Sequence, residues 1–479
     1  MAEQSVTRTV RVHVGEAASA LDRERNELAT LGDGVVPEDM GPQQIELSIV
    51  RPDGSKAMAR TGLSRKRIEV MLEHTAELLA DFAKLPSADS AGGASAHAKL
   101  AGFRKRLGVF PDDLSGAQWQ QLGELFVAVG DLECQVARSN PLMAAKELLV
   151  VRRALTSRSL GLPQNWQSNC ILPRSGFDND IAVLSPVSPT GELKTVHRPD
   201  GRRFVGDVDL HFDGDRMLFS SIGEGNRWHV FECRLDGSEV RQLTPSVPDV
   251  DHYDACYVPD GSVIFSSTAP VASVPCVNGS TNIANLYRLA PDGVTIRQLC
   301  FDQEHNWCPT VLPNGRILYL RWEYTDTPHS HDRVLFHMNP DGTGQMAYYG
   351  SNSYWPNSLF YARPIPGKPN MFVGIVGGHH GVPRMGELVI FDVTRGRREA
   401  AGAVQRLPGR GRPVVSDTNP KYGSTLIQDK LVDKSWPKYL HPYPLNETYI
   451  LTACKPTPTS LWGIYLADRF DNLVLIREL

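Results

Sequence analysis

The sequence predicts an all-β fold, a β-propeller with six blades of which five are legible, preceded by an α-rich N-terminal appendage. Three observations predict it: short β-rich runs recur in pairs beyond residue 200, a tight turn follows each pair, and the turns repeat at a similar interval. The turn residues Asp236, Asp292 and Asp341 are 56 and 49 residues apart. Because the repeated units are strands joined by glycine turns, this period indicates propeller blades rather than helical repeats.

The five legible blades are visible as pairs of β-rich runs. The first runs of the pairs are Met217–Ser221, Val263–Ser267, Ile317–Arg321, Met371–Ile375 and Tyr449–Ala453. The second runs are Val230–Cys233, Leu286–Leu289, Leu335–Met338, Leu388–Phe391 and Gly463–Leu466. The runs Ile181–Leu184 and Leu193–Val196 are expected to supply part of a sixth blade or to close the ring.

The N-terminal region has a different pattern. Ile45–Val50 alternates apolar and polar residues before a Pro-Asp-Gly turn, which predicts one or two strands. Apolar residues then recur at helical spacing around Ile68–Phe82 and Trp119–Val136, and the small residues of Ser87–Ser95 predict a flexible break between these helices. The predicted domains are an α-rich region with a short β element over 1–150 and a β-propeller over 151–479.

Composition excludes several functions. The formal net charge of −4 and the pI near 6.4 give no field that favours nucleic acid, and no apolar run is long enough to span a membrane. The eight cysteines form no Cys-x-x-Cys pair, so neither a zinc ribbon nor a covalently bound haem is expected. The sequence as given begins without a signal-peptide pattern, which predicts a cytoplasmic location.

One end of the predicted propeller carries most of the unusual side chains. Connections at the other end are tight turns such as Pro259–Gly261 and Pro313–Gly315, whereas the longer loops contain histidine, tryptophan, tyrosine and aspartate. We expect a protein partner or a small ligand to bind at this rim. The predicted ligand-binding residues are His252, Asp254, His305, Trp307, Trp322, Glu323, Tyr354 and Trp355. The alternative interpretation of the aromatic residues is packing between blades.

The same rim holds a candidate site for a divalent transition metal. The segment Gly377–Gly381 places two histidines between glycines that allow close approach of the backbone, and imidazole is a common metal ligand. The candidate metal ligands are His379, His380, His305 and His441. The spacing matches no established metal motif, so the histidines could equally bond to backbone carbonyls and fix the loops. No catalytic residue is assigned.

Five segments carry a family resemblance. They are Asp236–Thr244, His252–Gly261, Leu318–Tyr324, Met338–Thr343 and Tyr348–Tyr354. They resemble the TolB-type propeller of the hydrazine synthase alpha-subunit middle-domain family over roughly residues 140–479. In the family's namesake the propeller lies between regions that bind c-type haem, and the assembly makes hydrazine from nitric oxide and ammonium. The resemblance implies a propeller, a redox or envelope setting and export, against the cytoplasmic prediction from the sequence start.

Three functions remain open. The first is a non-catalytic binding or scaffold module that holds a ligand or partner at the rim. The second is a metal-dependent enzyme, lyase-like or redox. The TolB-like propellers that this chain resembles include uronate lyases with a histidine-bound metal. The third is a component of a haem-dependent redox complex that needs a haem-bearing partner. Because the sequence contains no Cys-x-x-Cys-His motif, hydrazine synthesis by this chain alone is not expected.

Overall fold

A computed structural model shows a mostly β chain with several antiparallel sheets, in agreement with the predicted fold class. It describes residues 9–13, 44–50, 56–85, 90–143, 145, 147–154, 157, 172–274, 281–322, 333–351, 353, 355–379, 384–415, 418–419, 424–425 and 430–478. Three predicted site residues, Glu323, Tyr354 and His380, lie outside the described residues.

The N-terminal region combines a small sheet with three helices. The strands are β1 (Thr9–His13), β2 (Gln44–Val50) and β3 (Lys56–Gly62), and the helices are α1 (Arg65–Phe82), α2 (Ser90–Gly108) and α3 (Gly116–Arg138), followed by a 3-10 turn over Pro141–Met143. Ser64 caps α1, because its side chain accepts a hydrogen bond from the backbone N–H of Arg67. The predicted break at 87–95 is wrong in its second half, since α2 begins at Ser90 in an alanine-rich segment of high helix propensity.

Six strand units follow in chain order. Unit 1 contains β4 (Leu148–Arg153), β5 (Asn179–Ser185) and β6 (Glu192–His197). Unit 2 contains β7 (Val205–Leu210), β8 (Arg216–Ile222), β9 (Trp228–Arg234) and β10 (Arg241–Gln242). Unit 3 contains β11 (His252–Tyr257), β12 (Val263–Ser267), β13 (Asn285–Leu289) and β14 (Ile296–Gln298). All neighbouring strands within these units are antiparallel.

The later units repeat the four-strand pattern. Unit 4 contains β15 (Asn306–Val311), β16 (Ile317–Trp322), β17 (Arg333–Met338) and β18 (Met346–Tyr349). Unit 5 contains β19 (Ser358–Ile365), β20 (Lys368–Gly377), β21 (Glu387–Asp392) and β22 (Ala403–Leu407). A short pair, β23 (Thr418–Asn419) and β24 (Ser424–Thr425), precedes unit 6, which contains β25 (Lys438–Pro444), β26 (Tyr449–Lys455), β27 (Gly463–Asp468) and β28 (Leu473–Glu478). One parallel residue pair joins units 4 and 5 into a single sheet.

Unit 1 lacks a first strand among the described residues. Asn179, at the start of β5, donates a side-chain hydrogen bond to the carbonyl of Val205 at the start of unit 2. Asn285, at the start of the third strand of unit 3, likewise donates to the carbonyl of Glu304 just before unit 4. The matching bonds identify β5 as a third strand, which makes β4 and β6 the second and fourth. The two predicted runs are confirmed as strands β5 and β6, whereas their place in a sixth blade stays a prediction.

First strands of different four-stranded units approach each other. A guanidinium nitrogen of Arg363 in β19 lies 3.5 Å from a carboxylate oxygen of Asp209 in β7, although units 2 and 5 are not neighbours in chain order. At the periphery, Arg477 of β28 donates a hydrogen bond to the carbonyl of Pro189 in the turn between β5 and β6. The last unit therefore contacts the first.

The helices pack against unit 6. The rings of Phe82 and Tyr449 lie 5.7 Å apart, and the hydroxyl of Tyr449 donates a 2.7 Å hydrogen bond to Asp81 of α1. Arg138, the last residue of α3, donates to the carbonyl of Leu475 at 3.2 Å. The predicted boundary at residue 150 falls within β4, and the division into domains stays a prediction. None of the described helices is long and apolar enough to cross a membrane.

Candidate ligand site at the centre of the strand units

A β-bulge occurs at the same place in the first strand of units 2 to 6. The pairing between first and second strands shifts in register there, and the bulged residue has a left-handed φ between +47° and +53°. The five residues, which we call the bulge cluster, are Asp207, Asp254, Cys308, Tyr361 and His441. A side chain in this conformation costs about 1 kcal/mol or more, so its retention at five equivalent positions is evidence of a specific role.

Hydrogen bonds tie successive bulges together. The backbone N–H of Asp254 donates to the hydroxyl of Ser220 in unit 2 at 2.9 Å. The backbone N–H of Cys308 then donates to a carboxylate oxygen of Asp254 at 2.7 Å. In the last two units, the rings of Tyr361 and His441 lie 4.1 Å apart. Asp207 also bonds to Ser220, and Cys308 bonds to the backbone of Tyr361, so the bulge cluster is one connected set that spans five units.

Arg384 is the residue that all members of the bulge cluster share. Its positive charge acts on every one of the five groups and favours a lower pKa for each, which opposes the effect of burial at the four acids and adds to it at His441. The guanidinium lies 5.5 Å from the ring centre of Trp307 and 5.8 Å from that of Phe360. Its Nε is buried and makes no hydrogen bond to the described residues. The charge of Arg384 therefore acts on all five polar side chains.

Burial shifts the protonation equilibria of the bulge cluster. Burial raises the pKa of Asp254 to about 6, with a further contribution from Asp207, while Arg384 and Arg363 oppose the rise. Burial also raises the pKa of the Cys308 thiol. Burial lowers the pKa of His441 to about 3, helped by nearby guanidiniums. At neutral pH the thiol and imidazole are neutral, so neither a thiolate nucleophile nor an imidazolium acid is available.

Further charged residues surround the bulge cluster. The guanidinium carbon of Arg153, at the end of β4, lies 5.6 Å from the ring centre of Phe204. The positive charge of Arg153 lowers the pKa of Asp207, which opposes the rise that burial causes. Arg363 donates a 3.0 Å hydrogen bond to the hydroxyl of Thr310 and approaches Asp209.

Several predicted rim residues form a buried stack instead of an open surface. The ring of His305 lies 4.5 Å from that of Trp307 and 6.2 Å from that of Trp322, nearly parallel to both. The ring of His379 meets Trp322 edge-on at 5.3 Å, and Arg333 lies 4.5 Å above Trp322. All five side chains are buried, with exposures of 0–1%. Trp307 and Trp322 therefore pack within unit 4, and the contact of Trp322 with His379 joins this stack to unit 5.

The other predicted ligand residues are divided between core and centre. His252 and Trp355 are buried, with exposures of 3% and 4%. Asp254 and His441 belong to the bulge cluster. The assignments of all these residues to a ligand or a metal stay predictions. None of the ion pairs and ring contacts among the described residues brings His305, His379 and His441 together as a set of metal ligands.

Among the described residues, one group of three metal-ligand side chains exists, and it is far from the predicted histidines in sequence. His211, Asp213 and Asp215 lie in the turn between β7 and β8, with ligand atoms within 4.8 Å of one another. Both ring nitrogens of His211 are already engaged, one by the backbone N–H of Asp213 at 3.1 Å and one by Arg216. These contacts account for the group as a hydrogen-bonded turn.

Sequence reasoning missed Asp207, Tyr361 and Arg384. A signal for the bulge was present: Asp207, Asp254 and Cys308 each stand seven residues before the glycine of the following turn. The turn glycines themselves have positive φ, as hairpin turns require. Arg384 follows the Gly377–Gly381 segment and has no local pattern that distinguishes it.

No family model matches the chain, and no curated protein matches it. Solved structures that are similar include hydrazine synthase of Kuenenia stuttgartiensis, at 16% identity and a TM-score of 0.49 over 67% of this chain and 43% of that chain. A putative TolB from Agrobacterium tumefaciens is similar at 14% identity and a TM-score of 0.36, over 48% of this chain and 76% of that chain. An oligogalacturonate lyase in complex with manganese is similar at 13% identity and a TM-score of 0.37, over 60% of this chain and 71% of that chain.

The distant resemblance predicted from the sequence is thus confirmed, because hydrazine synthase and a TolB protein are both among the similar structures. At these identities the similarity concerns the fold alone. The chain spans less than half the length of the hydrazine synthase chain that it matches.

Proposed function

We propose that the protein is a binding module, a six-bladed β-propeller that holds a small polar ligand at its centre. Two contacts support the closed ring: Arg477 of unit 6 bonds to the turn of unit 1 at Pro189, and Arg363 meets Asp209 between units 5 and 2. Unit 1 then counts as the sixth blade, with its first strand missing among the described residues.

The observation that carries the binding function is the set of five equivalent bulge positions, at which units 2 to 6 each place a polar side chain on which the charge of Arg384 acts. A ligand site in a propeller needs polar groups from several blades that meet at one point, and here units 2 to 6 each contribute one. Cys308 and His441 are neutral at neutral pH, which suits hydrogen bonding rather than nucleophilic or acid catalysis. Asp254 and His441, predicted as rim ligands, keep a binding role in this proposal.

The test is a thermal-shift screen of small polar metabolites against the wild-type protein and Arg384→Gln. Arg398→Gln is the matched control, because Arg398 is exposed and lies outside the bulge cluster. We expect compounds that raise the melting temperature of the wild type and of Arg398→Gln in a saturable way but not that of Arg384→Gln. A screen without such compounds, or compounds that stabilise Arg384→Gln equally, would overturn the proposal.

A metal-dependent enzyme is the second candidate function, and the grouping of His211, Asp213 and Asp215 is the observation that favours it. Elemental analysis of the purified wild type, of His211→Ala and of a double variant with His379→Ala and His380→Ala tests it. Near-stoichiometric transition metal that one variant loses would identify the site. Wild-type protein that holds no metal after incubation with manganese, iron, nickel or zinc salts would eliminate this candidate.

A further inference from the structure

Arg384 carries a positive charge for which the described residues provide no ion-pair partner. Asp207 and Asp254 influence the guanidinium through space, but neither forms an ion pair with it. Arg363 differs, since it approaches the carboxylate of Asp209 within 3.5 Å. Desolvation lowers the pKa of Arg384, but Tyr361, Cys308 and Asp254 outweigh it, so the guanidinium stays charged, and the side chain is partly exposed. An anion from outside the chain can therefore form the close ion pair that neither aspartate makes.

Two neighbouring side chains also present hydrogen-bond donors without acceptors. The backbone N–H of Ala284 donates to Nδ1 of His305 at 3.0 Å, so the neutral ring carries its proton on Nε2. That Nε2 and the indole Nε1 of Trp307 are both buried and make no hydrogen bond to the described residues. The two rings are stacked at 4.5 Å, and Arg384 lies beside Trp307. Three donors that lack acceptors therefore occupy adjacent side chains.

We propose that the ligand of the bulge cluster is a small carboxylate whose anionic group pairs with Arg384. This inference rests on the proposed binding function and names its ligand class. A flat carboxylate matches the fork of a guanidinium, and the rings of Trp307 and Phe360 beside Arg384 suit an apolar or aromatic remainder.

The charge around Arg384 selects a single negative charge. Arg153 and Arg384 face Asp207 and Asp254, so these four groups are balanced when all are ionised. Burial raises the pKa of Asp207 and raises that of Asp254 to about 6, so protonation of either aspartate leaves one guanidinium charge unbalanced, which the single negative charge of a carboxylate then neutralises. A phosphate dianion would add two and would meet stronger repulsion from both aspartates.

Isothermal titration calorimetry at constant ionic strength tests the inference with acetate and benzoate as probes and with acetamide and benzamide as their uncharged counterparts. We expect saturable binding of the carboxylates and no binding of the amides. Arg384→Gln should weaken carboxylate binding about tenfold or more, because it removes a charge-assisted hydrogen bond. Arg398→Gln should bind like the wild type. Arg384→Lys, which keeps the charge and loses the fork, should bind with intermediate affinity.

Circular dichroism and the melting temperature establish that each variant is folded, and Arg384→Lys serves if Arg384→Gln is not. Equal binding of amides and carboxylates, unchanged binding by the Arg384 variants, or tighter binding of sulfate or phosphate would each overturn the carboxylate assignment. An uncharged metabolite that binds through Asp254 and Cys308 would overturn it while the proposed binding function stands. The absence of any ligand at the bulge cluster would overturn both.

Discussion

The carboxyl group of Glu304 is buried and makes no hydrogen bond to the described residues. Replacement of Glu304 by glutamine should change how the free energy of unfolding depends on pH. The residue is 1% exposed, and neither carboxylate oxygen has a partner among the described residues. Burial raises its pKa from the ordinary 4.5 to about 7, although the charge of Arg333 opposes the rise. The folded protein therefore prefers the protonated acid, which the glutamine side chain imitates.

The magnitude follows from the difference between the folded and unfolded pKa values. A difference of about 2.5 pKa units corresponds to about 3.4 kcal/mol, which is an upper limit. Below pH 4.5 the acid is protonated in both states and contributes no penalty. Between pH 4.5 and 7 the unfolded state loses its proton first, so the wild type loses stability relative to Glu304→Gln. Above pH 7 the difference in stability between the wild type and Glu304→Gln remains constant.

Urea denaturation of the wild type, Glu304→Gln and Glu73→Gln at pH 5, 6, 7 and 8 measures this effect. Glu73 lies on the exposed face of α1 and serves as the control. We expect the stability of Glu304→Gln relative to the wild type to rise by about 2–3 kcal/mol from pH 5 to pH 8, while that of Glu73→Gln stays flat. A difference between Glu304→Gln and the wild type that does not change with pH would refute the reasoning.

The remaining predictions concern the bulge cluster, a close backbone contact and the helical layer. Carboxylate binding, measured by calorimetry from pH 5 to 8, should weaken as the pH rises through about 6, where Asp254 becomes charged, and Asp254→Asn should remove this dependence. Gly386→Ala should lower the free energy of unfolding, measured in urea, by about 3 kcal/mol or more, since its Cβ would lie 1.9 Å from a backbone carbonyl oxygen. Gly102→Ala is the control on open helix surface and should raise the free energy of unfolding by about 0.5–1 kcal/mol. Tyr449→Phe should cost about 1 kcal/mol, because the hydroxyl loses its hydrogen bond to Asp81, and a melting temperature equal to that of the wild type would contradict this.

The repeat was predictable because its determinants are local. Alternating apolar runs such as Val263–Ser267 and glycine turns such as Asp236–Gly237 are properties of short segments, and the strands β12 and β9 appear where these patterns place them. The two helices with apolar faces were predictable for the same reason, since Ile68–Phe82 keeps one periodic stripe that α1 buries.

The site was predicted only in part because a bulge reverses the local pattern. His252 and Trp307 stand where a loop was expected, but they lie within or beside the first strands β11 and β15 and turn into the core. One or two residues later the bulge places Asp254 and Cys308 in the left-handed conformation, which a simple alternation of inward and outward residues does not anticipate. Arg384 joins them only through the fold of unit 5, and no sequence spacing indicates that contact.

An experimental structure of the wild-type protein in crystals soaked with benzoate tests the central claim most directly. The account predicts electron density for the carboxylate within hydrogen-bonding distance of Arg384, with Asp254, Cys308, Tyr361 and His441 around it. Arg384 paired with a carboxylate of the protein itself, or benzoate bound elsewhere with the centre of the strand units unoccupied, would contradict it.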